Sequence, residues 1–369
     1  MAAREENDLL TRTGPGTTCG DLMRRYWQPV ALADELPRHD QRAPVPVRIL
    51  GEDLVLFRPD APGRPDSSGR DDRRQPGLLG LHCAHRGADL SYGRIEDGGL
   101  RCIYHGWLYD VHGRCLEQPG ERLGAASIER TDQPTTQNFS TALSPSETGG
   151  SAFHQRIRHT AYPCREVGGV IYTYMGPGDP PELPPYEFVA IPEEYRINTR
   201  VFQDCNYLQG TEGNVDPVHL SFLHRIAPDS AESAQAYNAY DTRPTLETEE
   251  TEYGVRIYCV RQLWADRQYV RVTNYIVPNA SAVSGTADGY TVNWHVPIDD
   301  THHWRYQMSF RRSGPINRDG ALWGETGADK NYRLLRNQSN RFLQDREEDR
   351  KSTRLNSSHI QKSRMPSSA

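Results

Sequence analysis

Cys83-Ala-His85 is followed, sixteen residues later, by Cys102-Ile-Tyr-His105, so that the pattern reads C-x-H-x16-C-x2-H. Each short segment offers one thiolate and one imidazole. Matched pairs of this kind can hold two metal positions differently. The cysteines suit one iron of a [2Fe–2S] cluster and the histidines the other. Loops around a bulky inorganic core must turn tightly, and Gly87, Gly93, Gly98, Gly99 and Gly106 supply that freedom. The competing reading is a structural Cys2His2 zinc site. Such sites usually group like ligands, as C-x2-C and H-x3-H, and the alternation here departs from that habit.

A second dense patch runs from Asn206 to Arg225 and reads E-x3-D-x2-H-x4-H, with Glu212, Asp216, His219 and His224. Asp216 followed by Pro217 has the form of a helix cap and a first-turn proline. Asp216 and His219, three apart, share a helical face. His219 and His224, five apart, would stand about 140° apart on a regular helix. The helix must therefore be irregular there, or His224 must sit at a fraying end, and such irregular turns are frequent at functional sites. Each histidine alone is more often a surface or core residue than a ligand. Two histidines beside a carboxylate, downstream of a cluster motif, point instead to the facial triad of a mononuclear Fe(II) centre.

Composition excludes several alternatives. The 369 residues suit two domains. A net charge of −6 with both signs interspersed argues against a nucleic-acid partner. No apolar run approaches the ~18 residues that would suggest a membrane helix. The opening MAAREENDLL lacks the apolar centre of a signal peptide. Seven scattered cysteines in a long chain imply a reducing cytoplasm rather than a disulfide framework.

Along the chain, Asp21–Trp27 reads as a short helix ended by Pro29, and PVPVRILGEDLVLFRPD as two strands turning at Gly51-Glu52-Asp53. Residues 60–77 and 122–152 lack periodicity and read as loop insertions. Strand patterns recur at 157–164, 169–175, 253–264, 268–277, 290–296 and 303–311, with a helical segment over 204–225. Long antiparallel strands after a helix suggest an α+β domain. From Lys351 the sequence KSTRLNSSHIQKSRMPSSA has no hydrophobic period. It reads as a non-native tail, with the natural chain cut short near Asp349.

The flanks sharpen the reading. Cys83-Ala-His-Arg-Gly-Ala-Asp-Leu and Cys102-Ile-Tyr-His-Gly-Trp-Leu-Tyr-Asp closely resemble the Rieske domains of aromatic-ring hydroxylating oxygenases. Both patches together resemble the α subunit of Rieske non-haem iron oxygenases, in the phthalate 4,5-dioxygenase-like and vanillate O-demethylase-like group. Tyr26-Trp-Gln-Pro-Val, Val47-Arg-Ile-Leu-Gly-Glu-Asp-Leu-Val and the stretch from Arg158 to Val170 read like the same group. The resemblance covers roughly residues 10–350 apart from the two insertions. Respiratory Rieske proteins carry an extra cysteine after each ligand loop's histidine. Gly87-Ala88 and Gly106-Trp107 stand there instead, which implies the lower-potential oxygenase type.

What the resemblance implies is specific. Cys83, His85, Cys102 and His105 would hold the cluster, and His219 and His224 the catalytic iron. Asp216 would hydrogen-bond an iron-ligating histidine and a cluster histidine of the neighbouring chain, making it an electron bridge in a ring of three. The third ligand is an aspartate on a later helix. Asp345 and Asp349 lie upstream of that position, so the true ligand is expected to be missing. The implied activity is O2-dependent hydroxylation or O-demethylation of a small aromatic compound, with electrons from NADH through a separate reductase. Arg271, on the strand YVRVTNYIV, could pair with a substrate carboxylate but reads first as a solvent-facing charge. The expected architecture is a lead segment (1–45), a small antiparallel β Rieske domain (46–160), an α+β catalytic domain of helix-grip type with a curved antiparallel sheet (161–350), and the tail (351–369). A Rieske-type electron carrier, an inactive oxygenase fragment and a zinc-stabilised binding protein are the rival readings.

Overall fold

The computed structural model describes residues 4–36, 43–60, 75–120, 153–223, 234–286, 288–316 and 327–344. The chain opens with helices α1 (Arg4–Thr11) and α2 (Thr18–Arg24) and strand β1 (Gln28–Leu32). Strands β2 (Val45–Ile49), β3 (Glu52–Phe57), β4 (Gly77–Gly80), β5 (Arg94–Glu96), β6 (Gly99–Arg101), β7 (Leu108–Tyr109) and β8 (Cys115–Glu117) follow. A short helix α3 (Phe153–Arg156) leads into β9 (Ala161–Tyr162), β10 (Cys164–Val167) and β11 (Val170–Thr173). Then come α4 (Glu187–Ala190), β12 (Arg196–Gln203), α5 (Tyr207–Val215) and α6 (Ala234–Tyr240). The last strands are β13 (Thr245–Thr251), β14 (Gly254–Trp264), β15 (Arg267–Ile276), β16 (Ala280–Thr286), β17 (Gly289–Pro297) and β18 (His303–Phe310).

Two compact units emerge: Leu36–Pro46 with Leu54–Pro163, and Met1–Glu35 with Val47–Asp53 and Cys164–Ala369. The smaller contains the four-stranded antiparallel sheet β5-β6-β7-β8. Its core gathers Val55, Phe57, Leu79, Leu90, Leu100 and Tyr109 around Cys83, Cys102 and Cys115. Burying each of the larger apolar side chains contributes ~1.5–3 kcal/mol. The two candidate thiols therefore sit inside the core, and the loops that carry them are anchored by it.

The larger unit is built on a seven-stranded antiparallel sheet ordered β12-β18-β17-β16-β15-β14-β13. Helix α5 packs against β15, β16, β17 and β18 on one face of it. A second sheet in this unit runs β1-β11-β10. These antiparallel sheets with few helices make an α+β protein. The strands expected at 253–264, 268–277, 290–296 and 303–311 are present within one or two residues. The helix expected at Asp21–Trp27 lies three residues earlier, because Thr17 caps it by accepting the Gly20 N–H (3.2 Å). Over 157–164 only Ala161–Tyr162 pairs as a strand before β10. Residues 61–74, 121–152 and 345–369, which hold most of both insertions and the odd tail, lie outside the described residues.

The helical segment expected over 204–225, with an irregularity near its histidines, is divided. Asn206 starts α5, its side chain accepting the Leu208 N–H at 2.9 Å, a cap worth ~1 kcal/mol. Pro217 disfavours helical backbone in the residue before it. Asp216 accordingly turns extended (φ −72°, ψ 115°) and closes α5 by donating its N–H to Glu212 O at 3.0 Å. A single 3-10 turn, His219–Ser221, follows. His224 lies outside the described residues.

Candidate metal centres

The two cysteine-bearing loops are built alike. In the first, Cys83 N–H donates to Ala88 O (2.8 Å) and Gly87 N–H to Cys83 O (2.9 Å). In the second, Cys102 N–H donates to Trp107 O (2.9 Å) and Gly106 N–H to Cys102 O (3.0 Å). Each turn closes through a left-handed glycine, Gly87 at φ +69° and Gly106 at φ +75°. Both cysteines are buried and both histidines are exposed. The imidazoles of His85 and His105 stand 4.6 Å apart between ring centroids.

Aromatic neighbours hold this pair. His85 stacks on Trp107 at 4.7 Å and 4° between planes, and Tyr104 lies 3.9 Å from His105. The Tyr109 hydroxyl lies 3.2 Å from Cys83 Sγ. Arg101 reinforces the second loop by donating from Nη1 to Gly106 O (2.7 Å). Its other side meets Glu96, Asp97 (2.8 Å) and Glu117 (2.7 Å). Burial pushes the Cys83 thiol up, the Tyr109 hydrogen bond pulls it down, and the adjacent Cys102 raises it again. Partial loss of hydration, then the neighbouring His105 and Arg86, lower the basicity of His85.

These donors fit a [2Fe–2S] group: a shielded thiol pair for one iron, an accessible imidazole pair for the other. Among the described residues, no three His, Cys, Asp or Glu side chains gather as ligands of a single metal ion. A diiron cluster asks for two protein ligands per iron. A mononuclear iron asks for three, and the described residues bring together only Asp216 and His219 of the second patch.

That pair is well defined. Asp216 Oδ1 accepts the Val218 N–H at 2.8 Å, and Oδ2 lies 3.3 Å from His219 Nδ1. The bond from His219, ahead of the loss of hydration, keeps the Asp216 carboxyl below its ordinary range. An ionised Asp216 fixes the proton of His219 on Nδ1 and makes Nε2 its ligating nitrogen. Glu212, also in the motif, is exposed as a residue, yet partial burial raises its carboxyl above the ordinary range. Arg271 is partly buried, opposite Cys259 in the sheet.

Sequence reasoning missed Trp107, Tyr109 and Arg101 as supports. Trp107 and Tyr109 belong to the quoted second motif, but the reach of a ring or hydroxyl to the other loop has no spacing signature. The cluster of Glu96, Asp97 and Glu117 around Arg101 is a charge pattern that could have drawn notice.

Residues 26–129 match the Rieske [2Fe-2S] domain, and residues 173–355 match the domain described as "LigXa C-terminal domain like". The chain is 38% identical, over 61% of its length, to the 5,5'-dehydrodivanillate O-demethylase oxygenase subunit of Sphingobium sp., of which it spans 44%. It is 35% identical, over 94% of its length, to the phthalate 4,5-dioxygenase oxygenase subunit of Pseudomonas putida, of which it spans 74%. In fold it is similar to the crystal structure of dicamba monooxygenase bound to dicamba (TM-score 0.54, 18% identity, covering 79% of this chain and 78% of that one).

Proposed function

The chain belongs to the Rieske-type non-haem iron oxygenases, and from that premise we propose that it is the oxygenase component of a multicomponent system acting on a small aromatic compound. The reaction class is O2-dependent hydroxylation or O-demethylation of a phthalate-like acid or a methoxy-aromatic. The observation that carries the proposal is the pair of matched turns, which bury Cys83 and Cys102 and bring His85 and His105 together at the surface.

Cys83, His85, Cys102 and His105 would hold the cluster. His219 and His224 would hold the iron, with a third ligand from a later acid. When bound, the two centres supply one-electron transfer and O2 activation. The chain's own residues orient and tune. Trp107 and Tyr104 fix the imidazole planes, and Tyr109 hydrogen-bonds a thiolate. Asp216 holds the His219 proton on Nδ1.

His105 is preceded in its own loop by two exposed apolar side chains, Ile103 and Tyr104, the second against its ring. Such a patch suits docking of an electron donor, here a reductase that draws on NADH. The remaining exposure of Asp216 (side chain 42%) suits a second contact, with a cluster histidine of a neighbouring chain in a homotrimer. No helix among the described residues is long and apolar enough to cross a membrane, and a cytoplasmic enzyme is the reading we adopt. We take residues 46–160 as the cluster domain and 161–350 as the iron domain.

Iron and sulfide analysis of the protein with its visible spectrum tests this. A red-brown protein with about three irons per chain is expected. About two irons would leave an electron carrier or an inactive oxygenase fragment without its third iron ligand, and a colourless zinc protein would end the proposal.

A further inference from the structure

Two histidines outside every motif are fully buried on the sheet face that α5 covers. His295 of β17 and His303 of β18 are both 0% exposed. His295 pairs across the ladder with Arg305, two residues beyond His303, so the two imidazoles meet on the diagonal. His295 Nδ1 and His303 Nε2 are 3.0 Å apart. His303 Nδ1 lies 2.8 Å from Cys205 O, and His295 Nε2 lies 2.6 Å from Asn214 Nδ2 on α5.

The three hydrogen bonds of this row set a direction for its protons. A carbonyl only accepts, so His303 Nδ1 must carry a hydrogen. A neutral His303 then presents Nε2 as an acceptor, and His295 Nδ1 must donate to it. His295 Nε2 is left as the acceptor for the Asn214 carboxamide N–H. Turning the Asn214 amide over would force His295 Nε2 to donate and His303 to carry both hydrogens. That would place a charged imidazolium in the buried row, which burial disfavours. Neither the Asn214 amide nor the Cys205 carbonyl passes a proton on, so between these partners the row serves as a fastening.

Its place gives it a purpose. Asn214 lies in the last turn of α5, which Asp216 closes through its N–H to Glu212 O. The helix backbone meets the imidazoles directly. A Cβ on Gly210 would stand 2.3 Å from His295 Nδ1 and 2.7 Å from His303 Nε2. We propose that Asn214, His295 and His303 form a one-way chain of neutral imidazoles that locks the end of α5 to the sheet and thereby positions Asp216 against His219. His295 and His303 are positioning residues, since they act through Asp216. The value of that position rests on the function proposed above; the direction of the chain does not.

The test is long-range 1H–15N correlation spectroscopy of the full chain labelled with 15N-histidine, oxidised and chelator-treated so that His219 stays diamagnetic. His295 and His303 should both appear as neutral rings protonated on Nδ1. Either ring protonated on Nε2, or on both nitrogens, overturns the chain whatever the enzyme's activity. Asn214→Asp replaces the donor with an acceptor and should convert His295 alone to the doubly protonated form. Asn214→Ala should lose the His219 Nδ1–H signal bonded to Asp216, while His303 keeps its tautomer. An unchanged His219 signal in that variant overturns the positioning role. The wild-type tautomers decide the direction of the chain even if neither variant folds.

Discussion

The hydroxyl of Tyr109 reaches Sγ of Cys83 at 3.2 Å, within the core of the smaller unit. With the sulfur as a thiolate, the hydroxyl must donate. Burial and the adjacent sulfur push the Tyr109 hydroxyl far above its ordinary range, so it remains a donor at all working pH values. A hydrogen bond to a charged group is worth ~1.5–3 kcal/mol, and it is stronger toward the more negative, reduced cluster. If about 1 kcal/mol of it is differential, Tyr109→Phe should lower the reduction potential by roughly 40 mV. Protein-film voltammetry measures this, with the spectrum confirming that the cluster is retained. A potential that stays put or rises would remove Tyr109 from the tuning groups.

The paired turns predict unequal costs for the same change. Gly87 and Gly106 both hold left-handed backbone, but a Cβ meets nothing within 4 Å at Gly87 and Pro119 Cγ at 3.0 Å at Gly106. Gly87→Ala should cost about 1 kcal/mol, from backbone conformation alone. Gly106→Ala should cost about 2 kcal/mol and reduce the iron content of purified protein. Denaturant titration of both variants measures the difference. Equal losses would mean that Pro119 yields freely.

What the sequence disclosed and what it withheld follow physical lines. The two loops were legible because each carries its own thiol, imidazole and glycine in a short span, so local chemistry alone defines the turn. An irregularity after α5 was legible from the angle between His219 and His224, but its form was not: Asp216-Pro217 read as the start of a helix, whereas Asp216 ends one. Strand β13 was not: Thr245–Thr251 reads TLETEET and is exposed almost throughout, with no apolar face. It is a strand because its backbone pairs with β14, which no periodicity records. Asn214 and His295, 81 residues apart, were equally unreadable as partners, because the sheet and helix that join them are set by packing.

Asp216→Asn separates shape from charge. An asparagine oxygen can still accept the Val218 N–H, so the turn should survive and both metals should stay bound. Without the carboxylate, His219 loses its partner at Nδ1, and turnover should fall about 10–100-fold. The pH dependence has a definite sign. The Asp216 carboxyl is held below 3.8 in the folded protein, so its contribution to stability is present above that value and lost as pH falls through the folded pKa. The variant should therefore lack this part of the acid limb. Stopped-flow reduction and single-turnover assays test the first expectation, acid titration of stability the second. Normal turnover would count against the bridge.

Arg200 and Glu35 give a prediction about the frame of the larger unit. Arg200 of β12 pairs with Glu35, and the two side chains are 11% and 9% exposed. The guanidinium lies 4.2 Å from the Trp304 ring and 4.8 Å from that of Tyr332, a cage that favours the cation. Burial raises the Glu35 carboxyl above its ordinary range, and Arg200 pulls it back. Arg200→Met keeps the bulk but strands a buried carboxylate, at a cost of about 3–5 kcal/mol near neutral pH. A carboxyl whose folded pKa is raised contributes stability fully present below its unfolded pKa and lost as pH rises through the folded value. In the variant that folded value moves higher still. The deficit measured by urea denaturation should therefore be smaller near pH 4.5 than near pH 8, and Glu35→Leu added to Arg200→Met should recover most of it. A deficit independent of pH would mean that Arg200 stabilises the sheet through its aromatic cage and not through Glu35.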